Sequence, residues 1–163
     1  MTKKSYLIPF KRRREKKTDY KKRLAMIKSE KIRVVIRRSL SNIIVQFVDY
    51  DAKGDKTLVS AFSTELKKYG WTRTGNVPAS YLTGLLAGKR AKDKKIEEAI
   101  LDLGLQTSTK GSRIYAALKG ILDAGVNVPH SEKILPDENR IKGVHISEEV
   151  VKHFEDVKNK IGV

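Results

Sequence analysis

The sequence predicts an α/β fold: a mixed sheet with an antiparallel strand meander covered by helices, plus a basic N-terminal extension. Three observations predict it. Segments rich in β-branched residues follow one another at residues 32–37, 43–50 and 57–62. Two later stretches, residues 78–92 and 114–125, carry apolar residues at helical spacing, with a short apolar run between them. The charge is also confined to one end. Of 35 Lys and Arg residues, sixteen lie in residues 1–38 against three acids, so this quarter carries +13 of the net +16.

Residues 1–17 have no helical or alternating pattern and little to bury, so an arm that stays disordered until it meets a partner is expected. Thr18 is the expected N-cap, with Asp19 in the first turn, of a basic helix running to about residue 29 with Tyr20, Leu24 and Ile27 on one face. In the first strand Ile32, Val34 and Ile36 point one way and Arg33, Val35 and Arg37 the other, so one face is core and the other partly cationic. Residues 39–42 and 51–55 have turn-forming compositions, which makes the meander antiparallel. Pro78 suits a first helical turn, and Leu82, Leu85 and Leu86 follow at helical spacing. Residues 100–105 form a candidate fourth strand, and a strand reached by a crossover is expected to pair right-handedly. Ile114, Ala117, Leu118, Ile121 and Leu122 fit a helix that Gly125 ends. Residues 127–144 are looser, with Pro129 and Pro136. A last helix over 147–160 is predicted by the cap Ser147, by Glu148 and Glu149 in its first turn, and by Val150, Phe154, Val157 and Ile161.

The chain has 163 residues, enough for one compact domain and a tail. Its hydrophobic fraction, 39%, is low and its charged fraction, 33%, is high, so part of it is expected to lie outside the core. The absence of cysteine excludes disulfides, thiolate zinc sites and thiol nucleophiles, and is compatible with a reducing compartment. Apolar runs such as residues 43–45 and 82–87 fall well short of the roughly 20 residues of a membrane span. No signal peptide is expected, because the apolar stretch before Lys11 is too short; an organelle transit peptide would share the Arg-rich, acid-poor character.

Catalysis is not expected. A Walker-type phosphate loop needs four residues between its first Gly and the Gly-Lys pair, followed by Ser or Thr. Gly84-Leu85-Leu86-Ala87-Gly88-Lys89-Arg90 has three, lacks the hydroxyl and lies in a predicted helix. His130, His145 and His153 have no ligand-like spacing, so neither metal nor cofactor is expected. A metal-dependent nuclease would need carboxylates converging from strands. Here Asp49, Asp51 and Asp55 cluster at a hairpin turn, where acids are ordinarily solvated, and the first strand offers Arg33 and Arg37 instead.

What remains is the amino end. Lys11, Arg12, Arg13, Arg14, Lys16, Lys17, Lys21, Lys22 and Arg23 follow one another with almost no compensating acid, a self-repelling cluster whose natural acceptor is a polyanion. Arginine presents forked donors suited to phosphate, and Tyr6, Phe10 and Tyr20 are interleaved where they would stack on unpaired bases. Tyr20 has an equally good alternative, packing on the core beside Leu24. Neutralising roughly eight phosphates of an RNA would give a log-log salt slope of about −6.

The chain resembles a known family in four segments. Pro9-Phe10-Lys11-Arg12-Arg13-Arg14-Glu15-Lys16-Lys17-Thr18-Asp19-Tyr20 comes first, then Lys68-Tyr69-Gly70-Trp71. Next is Tyr81-Leu82-Thr83-Gly84-Leu85-Leu86-Ala87-Gly88. The last is Ala116-Ala117-Leu118-Lys119-Gly120 with Asp123-Ala124-Gly125 and Val128-Pro129-His130-Ser131. In this order they resemble the archaeal form of large-subunit ribosomal protein eighteen, whose eukaryotic relatives share the landmarks, over roughly residues 5–145. The resemblance implies a cytoplasmic protein of the large ribosomal subunit. It would bind 5S rRNA, attach it to the large-subunit (23S) rRNA in the central protuberance and touch neighbouring ribosomal proteins, with no membrane or small-molecule partner. It assigns RNA contacts first to Arg12, Arg13, Arg14, Lys17 and Tyr20, and more weakly to Arg33, Arg37 and Arg38. The family usually has Gly where this chain has Lys16. The expected division is a basic RNA-binding extension (1–17), an α/β RNA-binding domain (18–145) and a C-terminal helix (146–163), which lies outside the resemblance and packs on a neighbouring ribosomal protein or closes the domain. Charge alone also fits a general nucleic-acid-binding module outside the ribosome.

Overall fold

The computed structural model describes residues 7–162. Strands β1 (Arg33–Arg38), β2 (Ile43–Asp49) and β3 (Lys56–Phe62) form the expected antiparallel meander. A fourth strand, β4 (Ile100–Asp102), runs parallel to β1, giving the order β3-β2-β1-β4. Parallel pairing needs a long crossover, and helix α3 (Val77–Asp93) lies in it. Alternation then builds one inner face: Val34 and Ile36 of β1, Ile43, Val45 and Phe47 of β2, and Val59 and Ala61 of β3 are all buried. The fourth strand is three residues long where six were expected, because Gly104 turns left-handed at φ 61° and takes the chain out of the sheet.

Helices α3 and α4 (Arg113–Asp123) cover the inner face. Asn76 caps α3, its side-chain oxygen accepting from the Ala79 N–H at 2.9 Å, and Pro78 sits in the first turn, where a missing N–H costs nothing. Every residue from Pro78 to Gly88 is buried, so this helix is sandwiched rather than striped. Small residues let α4 approach it: a Cβ on Gly84 would strike the Ala117 backbone, and one on Gly120 the Tyr81 carbonyl. The glycines of the loop-like stretch 84–90 thus serve a helix crossing.

Between β3 and α3, where no element was expected, a 3-10 helix spans Ser63–Tyr69, and Trp71 follows it into the core with its Nε1–H donating to the Arg73 carbonyl at 2.6 Å. A short helix, α5 (Glu138–Lys142), interrupts the looser region. Helix α6 (Glu148–Ile161) buries Phe154, Val157 and Ile161, and the Phe154 ring meets Trp71 edge-on at 6.5 Å and Tyr81 at 5.5 Å. The last helix therefore completes the core of this chain.

The amino end departs from expectation. Lys11–Arg14 forms one helical turn, α1, where no structure was expected, although every residue from 7 to 17 is exposed. Residues 1–6, with Tyr6, lie outside the described residues. Helix α2 spans Tyr20–Lys28, and Asp19 rather than Thr18 is its N-cap, accepting from the Lys21 and Lys22 N–H groups at 3.1 Å each. Thr18 instead accepts from Arg12 Nε at 2.9 Å. Helix α2 buries none of its residues. Tyr20 and Leu24 are exposed, which overturns the reading of them as a core face: Lys21, Lys22, Arg23 and Lys28 leave too narrow an apolar stripe for burial.

Candidate nucleic-acid interface

Lys11, Arg12, Arg13, Arg14, Lys16 and Lys17 are exposed along the arm, and Lys21 and Lys22 continue the exposed series into α2. Among the described residues, Lys11, Arg13, Arg14, Lys16 and Lys21 make no ion pair. Lys17 pairs with Glu15 at 2.9 Å and Lys22 loosely with its own cap Asp19 at 3.9 Å. Five further residues, Tyr20, Arg23, Arg33, Arg37 and Arg38, were expected here, and they divide. Tyr20 is 37% exposed and its ring lies 5.7 Å from that of Phe10, so both residues stand at the surface beside the arginines. Arg38, at the far end of β1, is exposed and unpaired among the described residues.

Lys16 has φ 50°, the left-handed region that favours glycine, at the position where the resemblance implies Gly. The turn after α1 is therefore kept with a charged residue in a mildly strained conformation.

Arg23, Arg33 and Arg37 belong to a ladder of alternating charges. Arg23 donates to Asp55 Oδ1 at 2.9 Å, and the other Asp55 oxygen accepts from Arg33 at 2.7 Å. Arg33 also reaches Asp102 at 3.2 Å, and the second Asp102 oxygen accepts from Arg37 at 2.9 Å and from the Gly104 N–H at 2.8 Å. Arg33 is 2% exposed and Asp102 5%. A guanidinium so placed cannot meet a phosphate without breaking both its pairs, so Arg33 is corrected from a contact to a support. Arg37 is half-spent in the same way, donating also to the Ile36 and Asp102 carbonyls.

Asp55 is an exposed turn residue, as the sequence suggests, but its carboxylate is ion-paired rather than free. Burial opposes its ionisation, but the hydrogen-bonded guanidiniums of Arg23 and Arg33 outweigh it and hold the carboxyl below its ordinary range. Neither Asp49 nor Asp51 joins the ladder: Asp49 accepts from the Tyr50 N–H and Asp51 from the Lys53 N–H, both local turn contacts. Among the described residues no three His, Cys, Asp or Glu side chains converge as a metal would need.

The arm and α2 face the loop after β4 across a cavity of about 680 Å³, lined by Arg12, Lys17, Lys22 and Arg23 on one side and by Leu103 and Gln106 on the other. A second cavity, of about 580 Å³, brings Leu105 beside Arg13, Lys16, Tyr20 and Lys21. The loop residues were not foreseen, because nothing in a short apolar run says which charged segment will lie across from it. Asp102 did carry a signal: it is a lone acid inside an apolar strand, and such a residue needs a buried cation.

A run of exposed cations with two surface aromatic rings, beside an α/β core, is the geometry on which the comparisons with known proteins bear. The family model described as "Ribosomal large subunit proteins 60S L5, and 50S L18" matches residues 4–98 and 89–131 in two overlapping segments. The "Large ribosomal subunit protein uL18" of Korarchaeum cryptofilum (strain OPF8) is 61% identical over 143 residues, which cover 87% of this chain and 73% of the relative. Matches of that extent and identity leave no room for another ancestry. The chain belongs to this family of ribosomal large-subunit proteins, a family of structural components of the ribosome and not of enzymes.

Proposed function

We propose that the chain binds 5S rRNA and attaches it to the large-subunit (23S) rRNA in the central protuberance of the cytoplasmic ribosome, beside neighbouring large-subunit proteins. In this reading residues 1–17 are the RNA-binding extension, 18–145 the RNA-binding domain, and 146–163 a helix that closes the domain. The observation that carries it is the run of exposed cations from Lys11 to Lys22, most of them unpaired among the described residues, in a member of a ribosomal family. Arg12, Arg13, Arg14 and Lys17 would neutralise phosphates, with Lys11, Lys16, Lys21, Lys22 and Arg38 around them. Phe10 and Tyr20, held close together at the surface, would stack on unpaired bases.

Titration of the purified chain against 5S rRNA and against duplex DNA of equal length tests this. The rRNA is expected to bind at least about a hundredfold more tightly at physiological salt, with a log-log salt slope of about −6. Deleting residues 1–17 is expected to weaken binding by orders of magnitude and flatten that slope. Equal affinity for the two nucleic acids would return the chain to a general nucleic-acid-binding role.

A further inference from the structure

Helix α2 continues the cationic arm, yet it is not held to the body as a surface helix ordinarily is. It buries no residue, and cavities open on two of its sides. One, of about 680 Å³, separates Ala25 and Met26 from the loop after β4; another, of about 230 Å³, lies between Ile27 and the Asp49–Tyr50 corner. Most helices owe their place to an apolar face. Among the described residues, and beyond the local bonds with its own caps and flanking turns, the only hydrogen bond or ion pair joining α2 to the rest of the fold is Arg23 to Asp55.

That contact differs from an ordinary surface pair, which contributes little because two long side chains must be ordered in water. Asp55 is already immobilised. Its second oxygen is held by buried Arg33, and Arg33 is held by buried Asp102. Only Arg23 has to be ordered to close the link.

We propose that Asp55 is a positioning residue for RNA binding: through Arg23 it holds α2, and with it the arm, in one orientation on the domain. Phosphate contacts then form without first having to order the segment that makes them. This rests on the RNA-binding reading of the arm. It also has a distinctive sign. Neutralising an acid in a protein that binds a polyanion should tighten binding if charge is all that matters. Loss of a positioning acid should weaken it.

The experiment compares the full-length chain with Asp55→Asn, Asp55→Glu and Arg23→Gln, by titration with 5S rRNA and by limited trypsin digestion of the free protein. Asp55→Asn is expected to bind about five- to tenfold more weakly at fixed salt, whereas Asp55→Glu stays within about twofold. Trypsin is expected to cut after Lys21, Lys22 and Arg23 faster in Asp55→Asn, with the rest of the domain resistant. Arg23→Gln leaves Arg33 paired with both acids, so faster cutting after Lys21 and Lys22, the two sites that remain, separates a lost tether from a damaged core. The native chain should show it too as salt is raised. An Asp55→Asn chain that binds RNA as tightly as the native one, or more tightly, overturns the proposal, as does unchanged cutting in Arg23→Gln. Failure of the native chain to bind 5S rRNA overturns the functional reading, and the digestion then still decides whether Asp55 holds the helix.

Discussion

Gly84 of α3 faces the backbone of Ala117 in α4 with no room for a methyl group between them. The same crossing is repeated where Gly120 meets the Tyr81 carbonyl and where Gly88 meets the Ala124 side chain. Side chains at these positions would push the two helices apart and lift both from the sheet.

Gly84→Ala is therefore expected to destabilise the fold by about 1–3 kcal/mol through overpacking, although Ala is the better helix former by about 1 kcal/mol in an open helix. Urea unfolding followed by circular dichroism measures the balance. A more stable variant would mean that the helices have room to spare.

Asp102→Asn is expected to cost about 3 kcal/mol, because it takes a negative charge from beside a buried guanidinium and leaves Arg33 with Asp55 alone. Arg38→Gln, an exposed change only five residues along the strand, should stay within about 0.5 kcal/mol. Thermal denaturation of the two variants side by side checks the contrast.

Replacing Arg12, Arg13 and Arg14 together by Ala should leave stability within about 0.5 kcal/mol, since all three are exposed. RNA binding should weaken, and the salt slope should become shallower by roughly 2, the loss of three phosphate contacts on a single strand. Filter binding across a salt series reads both quantities, and an unaltered slope would remove these residues from the interface.

Two carboxylates make stability depend on acid. Burial opposes the ionisation of Asp55 and of Glu65, but Arg23 and Arg33 hold the first, and Arg90 with the Phe62 N–H holds the second, below their ordinary values of 3.8 and 4.5. A carboxyl with a lowered folded pKa stabilises the fold above its ordinary value, and that contribution is lost as pH falls through the folded value. Stability is thus expected to be flat near neutrality and to fall below about pH 4, with Glu65→Gln less stable at neutral pH and less acid-sensitive. Thermal melts across the acid range test this, and identical pH profiles for native and variant chains would contradict it.

Much of the fold was legible because its signals are local. β-Branched runs marked β1, β2 and β3 to within a residue or so, and Ser147 with Glu148 and Glu149 marked the start of α6. The 3-10 helix at Ser63–Tyr69 was not legible, since it has no apolar period and closes onto Gly70 in a left-handed conformation. Helix α2 was placed correctly, and of the two readings open for Tyr20 the one that packs it on the core fails: the spacing of Tyr20, Leu24 and Ile27 describes a stripe, and a stripe is buried only if something packs on it.

By itself the sequence determined most of the strands and long helices, the concentration of cations at the amino end and the family, because propensity, periodicity and charge density are properties of neighbouring residues. Only the tertiary structure decided which cations are available to a partner. Arg33 and Arg38 are alike in sequence and stand on one strand, yet Arg38 is exposed while Arg33 is buried between acids 22 and 69 residues away along the chain. A charge leaves water only when an opposite charge arrives to replace its hydration, and which acid arrives is settled by how the hairpin and β4 come to lie beside β1.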